Sequence, residues 1–127
     1  LRATPSLRSL REKVERVAQR RWVRGLDQRK IIIRHPHAAL NTLLQGAGAI
    51  VMKYALTILE QYVINKQIKA FPVVNVHDEF QYEVEESRAE EFGRLAVQSI
   101  IDAGKQLNVR CPLNGEYKIG NNWSETH

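Results

Sequence analysis

Two adjacent carboxylates, Asp78 and Glu79, follow His77 at the junction of two β-type runs. Carboxylates held side by side raise each other's cost of ionisation, and a divalent cation removes that cost. Oxygen ligands on a rigid hairpin are the kind that Mg²⁺ requires. The plainer alternative is a solvated hairpin, in which polar turn residues only satisfy the backbone. The triplet by itself leaves both a metal site and an ordinary turn open.

The flanking runs predict the hairpin that would position this triplet. Residues 71–76 read F-P-V-V-N-V, and residues 80–85 read F-Q-Y-E-V-E, in which Phe80, Tyr82 and Val84 alternate with polar residues. Alternation with a period of two is typical of a half-buried strand. We therefore expect two strands joined at the acidic triplet, in a hairpin over residues 71–86.

A long helix is predicted upstream, over residues 37–68. Pro36 precedes it, at a position where a first helical turn tolerates proline. Gly46 and Gly48 lie inside the helix, where glycine favours the close approach of a ligand or another backbone. The apolar residues form one stripe, namely Ala39, Leu40, Leu43, Leu44, Ala47, Val51, Tyr54, Ala55, Ile58, Leu59 and Tyr62.

Three hydrogen-bonding side chains, His37, Asn41 and Gln45, are spaced four residues apart near the start of this helix. That spacing places them in one row along a helix. An ordinary polar helix face is one interpretation of the row. Neutral hydrogen-bonding groups are also suited to the acceptors on base-pair edges in a DNA minor groove, so the row is a candidate duplex contact.

Charge is unevenly distributed along the chain. Residues 1–36 contain 11 Lys or Arg and 3 acidic residues, whereas residues 37–127 contain 8 and 11. A basic segment attracts phosphates and carboxylates attract metal ions, although a solvated basic helix gives the same pattern. The candidate phosphate neighbours are Arg20, Arg21, Arg24, Arg29, Lys30 and Arg34.

The remaining composition argues against several classes of protein. A chain of 127 residues predicts one domain, and a hydrophobic fraction of 43% is ordinary for a globular chain. No uninterrupted apolar run approaches the ~20 residues of a membrane span. Cys111 is the only cysteine, which excludes an intrachain disulfide and a Cys-based zinc site. We therefore expect a cytoplasmic protein without membrane contact.

Smaller elements complete the prediction. A first helix should end near Arg21, and residues 31–33 should form a short strand. Ser87 and Glu90 form the S-x-x-E pattern of a capping box, which predicts a helix beginning there. Residues 109–117 have strand character.

Two longer motifs resemble a known family. The stretch H-A-A-L-N-T-L-L-Q-G-A-G-A-I-V-M-K (37–53), followed by V-H-D-E (76–79), strongly resembles the polymerase domain of family A DNA polymerases. The stretch W-V-R-G-L-D-Q-R-K-I-I-I-R-H-P-H-A-A-L-N (22–41) is similar to the phage-type replicative branch almost residue for residue. The ending N-N-W-S-E-T-H is similar to the same branch, and the resemblance covers nearly all of the chain.

The resemblance implies roles for the residues singled out above. It implies that Asp78 is the second metal-binding aspartate of the palm, with Glu79 as its acidic neighbour and His77 near the primer terminus. It implies that Asn41 and Gln45 read the minor groove of a primer–template duplex. His37 stands where many bacterial relatives carry Arg, so a neutral hydrogen bond is expected there.

The resemblance also implies a reaction. A primer 3′ hydroxyl attacks the α-phosphate of a deoxynucleoside triphosphate, and two Mg²⁺ ions stabilise the entering and leaving oxygens. Neither the family's other palm aspartate nor its fingers helix, with a Lys and an aromatic residue, appears in this sequence. One aspartate does not hold two Mg²⁺ ions in the required geometry.

We therefore expect a C-terminal piece of a phage- or prophage-type replicative polymerase, or the smaller product of a split gene. On its own, such a piece should be inactive. One alternative is a non-catalytic DNA-binding or assembly module derived from a polymerase. Another is an interaction domain without a nucleic-acid role.

The expected fold class is α+β, with a small antiparallel sheet and a metal-binding β-hairpin packed by helices. Within a polymerase palm, the segments would be a basic lead-in from the fingers (1–36), a duplex-contacting helix (37–68), the catalytic hairpin (71–86), and a helix with a C-terminal tail (87–127). A piece of this kind leaves sheet edges and helix surface uncovered. The expected partners are primer–template DNA, deoxynucleoside triphosphates, the remainder of the polymerase, and further copies of the chain through self-association.

Overall fold

Helices alternate with two short hairpins in residues 4–76 and 78–126, the part of the chain that this computed structural model describes. The predicted α+β class is confirmed, but the described strands form two separate two-stranded sheets rather than one. The helices are α1 (Pro5–Ala18), α2 (Ala39–Lys66), α3 (Ala89–Gln106) and α4 (Trp123–Thr126). The strands are β1 (Trp22–Arg24), β2 (Lys30–Ile32), β3 (Ala70–Val76) and β4 (Glu79–Val84).

The chain divides into two compact units, one ending at Ile50 and the other beginning at Val51. In the first unit, α1 ends at Ala18, and Arg21 then adopts a left-handed conformation with a φ of 65°. A right-handed helix does not continue through that conformation, so α1 ends before the predicted Arg21. The chain turns there into β1, a strand too short for the sequence pattern to reveal.

The β1–β2 hairpin supplies part of the core of this unit. Its strands pair antiparallel, with Val23 opposite Ile31, and β2 begins one residue earlier than predicted. These two side chains share one face of the pleat. They pack in a cluster with buried Ala18, Ile33 and Ala39.

Helix α2 begins after a 3-10 turn, Pro36–Ala38, and ends two residues before the predicted 68. By length and composition alone, the helical stretch Pro36–Lys66 is apolar enough to cross a bilayer, since an 18-residue window within it has a mean hydropathy of 1.4. The sequence analysis considered only uninterrupted apolar runs, and the polar residues within this helix therefore concealed its overall apolar character. The core helix of a soluble protein passes the same test, but only 22% of this apolar window is buried. Leu44 and Ile64 are among the apolar residues of α2 that remain exposed.

The second unit has its own apolar core. Leu59 and Val63 of α2 cluster with Ile68 and with Phe92 and Ala96 of α3. The predicted apolar stripe of β4 packs against this cluster. The alternation in the sequence therefore correctly predicted which face of β4 is turned to the core. The residues of that stripe are Phe80, Tyr82 and Val84.

The predicted helix after the hairpin is present, but its capping box at Ser87 and the strand predicted at residues 109–117 are wrong. Helix α3 follows a 3-10 turn, Glu86–Arg88, and its N-cap residue is Arg88, without a side-chain cap bond. Within residues 109–117, no strand is assigned. This segment packs on glycines of α3 instead: a Cβ added at Gly104 would lie 2.8 Å from Cδ1 of Leu113. Side-chain packing on a smooth helix surface replaces the strand pairing that the pattern suggested.

Candidate functional site

The β3–β4 hairpin carries its acidic residues at the turn. Its strands pair from Ala70–Val84 to Val76–Glu79, with a bulge between Pro72 and Val74. Asp78 lies in the turn and is exposed, and Glu79 is half-buried at the first position of β4. Both predicted ligands thus lie at the turn end of this hairpin. His77 lies outside the described residues.

Aromatic side chains pack one face of this hairpin against α3. The ring centroids of Tyr82 and Phe92 lie 4.9 Å apart, and those of Phe80 and Tyr82 lie 5.9 Å apart in an edge-on arrangement. Burial raises the pKa of the Tyr82 phenol, as expected for a group removed from water. Contact with Phe92 therefore fixes the position of β4, the strand that follows the acidic turn, on α3.

A hydrogen-bonded chain reaches the acidic turn from the C-terminal helix. The Gln81 amide donates from Nε2 to Oε1 of Glu79 at 2.5 Å, and the Thr126 hydroxyl donates to Oε1 of Gln81 at 3.1 Å. The amide thus connects α4 to one carboxylate oxygen of Glu79. The sequence interpretation missed both Gln81 and Thr126, because their contact joins residues 45 positions apart.

The acidic turn fits part of a Mg²⁺ site. Asp78 offers an exposed carboxylate, and Glu79 offers a second one whose orientation Gln81 restrains. In residues 4–76 and 78–126, no group of three or more His, Cys, Asp or Glu side chains is arranged to hold a metal ion. Mg²⁺ commonly takes one or two protein carboxylates and completes its octahedron with water and substrate phosphates. The donor set is therefore suitable but partial.

A second candidate region is the open face of α2 in the first unit. Asn41, Gln45 and Gly48 are all exposed, and Leu44 beside them is 58% exposed. The sequence contains no Asp, Glu, Lys or Arg between Arg34 and Lys53. A solvated helix face usually carries charges, so this neutral face has the character of a contact surface.

The two glycines of α2 differ in their surroundings. A Cβ added at Gly46 would lie 3.3 Å from Cδ1 of Ile31, whereas one added at Gly48 would meet nothing within 4 Å. Gly46 therefore lets the β1–β2 hairpin pack closely on the helix. Gly48 instead leaves open space on the helix face that carries Asn41 and Gln45.

His37 belongs to the 3-10 turn before α2, not to the α-helical row itself. Its ring stacks on that of His35, with centroids 5.6 Å apart and planes inclined by 27°. The predicted row is thus continuous for Asn41 and Gln45, while His37 precedes it. The sequence interpretation did not include His35, although the H-P-H pattern placed it two residues away.

All six candidate phosphate neighbours are exposed, Arg29, Lys30 and Arg34 among them. Arg29 forms an ion pair with Asp27, which neutralises part of its charge. The ammonium group of Lys30 lies 4.8 Å from the centroid of the Trp22 ring. Trp22 was not among the predicted functional residues, and the contact of Lys30 with its ring is visible only in the structure.

Comparison with known proteins provides an independent view of these regions. The family model described as DNA polymerase family A matches residues 7–125. A DNA-directed DNA polymerase of Escherichia phage T7 is 35% identical over 153 residues, which cover 100% of this chain and 21% of the relative. The DNA-directed DNA polymerase of Escherichia phage Phieco32 is 34% identical over 134 residues, covering 100% and 22%. DNA polymerase I of Aquifex aeolicus is 33% identical over 87 residues, covering 68% and 15%.

A solved structure shows the same fold. The polymerase domain of Pol1 from M. smegmatis, in complex with DNA primer-template and dNTP, matches with a TM-score of 0.69 at 22% identity. The match covers 76% of this chain and 19% of that one. The chain spans about a fifth of the length of the phage relatives it matches.

Proposed function

This chain belongs to DNA polymerase family A, and on that premise we propose that it works as the C-terminal part of the palm in a DNA-directed DNA polymerase. The observation that carries this proposal is the exposed carboxylate of Asp78 in the turn of a packed hairpin, with Glu79 beside it. The activity belongs to a larger protein, since the missing aspartate and fingers helix must come from elsewhere. The isolated chain is therefore inactive.

The reaction is nucleotidyl transfer during DNA replication. The primer 3′ hydroxyl attacks the α-phosphate of a deoxynucleoside triphosphate, the new phosphodiester bond forms, and the bond to pyrophosphate breaks as the hydroxyl proton is lost. When bound, Mg²⁺ supplies positive charge that stabilises the entering and leaving oxygens. Asp78 and Glu79 would hold the ion, and Gln81 orients the Glu79 carboxylate. His77, between β3 and Asp78 in sequence, is proposed to lie near the primer terminus.

The neutral face of α2 contacts the primer–template duplex in this proposal. Asn41 and Gln45 donate hydrogen bonds to acceptors that every base pair presents in the minor groove, so they grip the duplex without reading its sequence. Gly48 leaves room for the sugar edge. His37 forms a neutral hydrogen bond, and Arg29, Lys30 and Arg34 contact phosphates.

Primer extension tests the catalytic part of this proposal. In the whole polymerase that contains this sequence, Asp78→Ala should lower kcat by about 10³-fold, since a lost metal ligand removes several kcal/mol of charge stabilisation. Glu83→Gln is the matched control, because Glu83 is exposed on the same hairpin but remote from its turn. Extension by Asp78→Ala at the normal rate would refute the role of this residue. Extension by the 127-residue chain alone would refute its dependence on further segments.

Duplex binding tests the role of α2. Asn41→Ala and Gln45→Ala should each weaken binding of a primer–template duplex by about tenfold, the usual effect of one lost hydrogen bond in a desolvated contact. Gln61→Ala is the control, because Gln61 is an exposed amide further along the same helix. Equal affinity in all three variants would show that α2 does not contact the duplex.

A second candidate function is a non-catalytic DNA-binding or assembly module. The neutral face of α2 favours it, because a duplex contact on this face needs no active site. The two candidates differ in one result. The module retains its cellular role when Asp78 is replaced, whereas the polymerase does not.

Exposed apolar residues support a further partner within the same polymerase. Phe71 and Val73 of β3 are 64% and 61% exposed, and Ile64 of α2 is 57% exposed. We propose that another segment of the polymerase covers these side chains. In the isolated chain they drive self-association, which sedimentation over a range of concentrations would detect. A monomer at all concentrations would count against this. We place the whole polymerase in the cytoplasm of a bacterial cell, with a phage or prophage origin.

A further inference from the structure

The polar face of β4 carries an amide between two carboxylates. Successive side chains of a strand point to opposite faces, so Glu79, Gln81 and Glu83 share the face that is turned away from the apolar core. Gln81 donates from Nε2 to Oε1 of Glu79 at 2.5 Å. An amide has a donor end and an acceptor end. The hydrogen bond therefore restrains the Glu79 carboxylate only when the amide is itself held with its donor end toward that carboxylate.

The acceptor end of the Gln81 amide meets α4. The Thr126 hydroxyl donates to Oε1 of Gln81 at 3.1 Å, and its oxygen also lies 3.2 Å from the carbonyl oxygen of Trp123. One hydroxyl hydrogen thus has two acceptors within reach. Residues 121–125 are exposed, whereas Thr126 is half-buried. Thr126 therefore lies on the side of α4 that is turned to the hairpin.

Local hydrogen bonds hold α4 in shape, although it has only four residues and so short a helix is not stable by itself in water. The Glu125 carboxylate accepts from the backbone N–H of Asn121 at 2.7 Å and from Nδ2 of Asn122 at 2.9 Å. In return, Oδ1 of Asn122 accepts from the N–H of Glu125 at 3.3 Å, as in a capping box. Gly120 permits this turn, because a Cβ there would lie 2.5 Å from Cβ of Glu125. The turn thus presents Thr126 from a braced backbone.

We propose that Thr126 is a positioning residue, which holds the Gln81 amide with its N–H end toward Glu79 and thereby fixes the orientation of that carboxylate for a divalent cation. The inference rests on the proposed function, since it takes Glu79 as a ligand of Mg²⁺. Mg²⁺ demands near-ideal octahedral geometry, and the hydrogen-bond partners of its ligands affect its affinity by orienting those ligands. Thr126 acts through Gln81 and does not itself contact the ion.

A contact that only fastened α4 would need less. The hydroxyl could bond the Trp123 carbonyl oxygen within its own turn, which orders no further side chain. The contact with Gln81 instead joins residues 45 positions apart and orders a long side chain at a cost in conformational entropy. Its effect falls on the amide and, through the amide, on Glu79.

Hydrogen exchange of the Gln81 amide, followed by NMR on the 127-residue chain without metal, tests the first step. One Nε2 hydrogen of Gln81 should exchange with water more slowly than those of Gln61, an exposed amide of α2. Thr126→Val removes the hydroxyl but keeps the branched shape, and it should abolish most of that difference. Thr126→Ser should restore it. Thr57→Val is the matched control, because the Thr57 hydroxyl donates to the carbonyl oxygen of Lys53 at 3.0 Å, away from the hairpin.

Direct Mn²⁺ binding tests the second step, measured by electron paramagnetic resonance on the whole polymerase bound to primer–template. Thr126→Val should weaken Mn²⁺ binding by about threefold, less than the ~10-fold loss typical for a direct partner of a metal ligand. Gly120→Ala should have a similar effect, because it displaces the turn that presents Thr126. Adding Thr126→Val to Gln81→Ala should cause no further loss, since both changes act through one amide.

Unchanged exchange of the Gln81 amide in Thr126→Val would overturn the proposal. An additive loss of Mn²⁺ binding in the double variant would do the same, as would an equal loss in Thr57→Val. Failure of the proposed function has a different result, because Asp78→Ala would then bind Mn²⁺ and extend primers normally. Unchanged Mn²⁺ affinity in Thr126→Val, with a loss in Asp78→Ala, would overturn only the positioning role of Thr126. Rescue by Thr126→Ser excludes misfolding of the valine variant as the cause of its loss.

Discussion

The two hairpins in the described part of the chain have similar architectures but opposite charges. Each has two antiparallel strands with one face packed against a helix. In the β1–β2 hairpin, like cations stand opposite each other across the strands, at Arg24 and Lys30. In the β3–β4 hairpin, like anions follow one another at the turn, at Asp78 and Glu79.

The two hairpins differ in how their charges are distributed. Cations spread over a strand face suit an extended polyanion, which offers one phosphate after another. Carboxylates gathered at one turn suit a small cation, which needs several oxygens at one point. Both hairpins therefore hold like charges close together, on a strand face in one and at a turn in the other.

The largest effect should come from the core beneath the acidic hairpin. Leu59 is fully buried, and Leu59→Ala should lower the free energy of unfolding by about 3 kcal/mol, through lost burial and the cavity left behind. Val23→Ala, in the smaller core under the basic hairpin, removes fewer atoms and should cost less. Urea denaturation followed by circular dichroism measures both. A larger loss of unfolding free energy for Val23→Ala would show that the core under the basic hairpin contributes more to stability than the core under the acidic hairpin.

A smaller effect is expected from the amide that restrains Glu79. On the proposed role of Glu79 as a metal ligand, Gln81→Ala should lower kcat of the whole polymerase and its affinity for Mn²⁺ by about tenfold, as is typical when a partner of a metal ligand is lost. Gln98→Ala, an exposed amide on α3, is the control. Unchanged Mn²⁺ affinity would mean that Gln81 supports only the packing of α4.

A hydrogen bond between α2 and α3 gives the unit of the acidic hairpin a pH dependence. The Tyr62 hydroxyl donates to Oδ2 of Asp102 at 2.7 Å, which lowers the pKa of Asp102 and raises the pKa of Tyr62. The Asp102 contribution is therefore fully present above its unfolded pKa near ~4 and is lost as the pH falls through its lowered folded value. The Tyr62 contribution is present below its unfolded pKa near ~10 and is lost as the pH rises through its raised folded value.

Accordingly, Tyr62→Phe should destabilise the chain by about 1 kcal/mol at pH 7, and by less at a pH below the folded-state pKa of Asp102. Thermal melts across this pH range measure the difference. Tyr54→Phe is the control on the same helix. A loss that stays constant down to acidic pH would exclude the bond to Asp102 as its cause.

The smallest effect concerns the turn of the basic hairpin. Gln28 has a φ of 67°, a conformation that costs about 1 kcal/mol in non-glycine residues. Gln28→Gly removes that strain but loosens the unfolded chain, so a net gain of about 0.5 kcal/mol is expected. Gly25→Ala should act in the opposite direction, because its Cβ would lie 3.0 Å from Cδ1 of Ile31. Melting temperatures that shift the other way would show that another feature controls this turn.

Local pattern was sufficient for the long elements and for the family. The period-two alternation of Phe80, Tyr82 and Val84 predicted the face of β4 that packs on the core. The apolar stripe predicted α2 to within two residues at its C-terminal end. The motifs of residues 22–53 and 76–79 led to a family that the comparison confirms over residues 7–125.

Periodicity in the sequence did not predict the short elements or the contacts between residues that are distant in sequence. Strand β1 has three residues, too few for periodicity, and it forms only because β2 pairs with it. The S-x-x-E pattern at Ser87 did not form a cap, since a 3-10 turn precedes α3. The tail at 109–117 packs on Gly93 and Gly104 rather than pairing as a strand, because a smooth helix surface was available.

The sequence by itself determined the α+β class, the acidic hairpin, the long neutral helix and the family, since each depends on residue types and spacings along the chain. Only the tertiary structure decided which side chains meet. It joined Thr126 through Gln81 to Glu79, and it gathered Arg20, Arg24 and Lys30 around Trp22. The reason is physical: periodicity records which face of an element is apolar, whereas contacts between elements depend on how turns and registers bring those faces together.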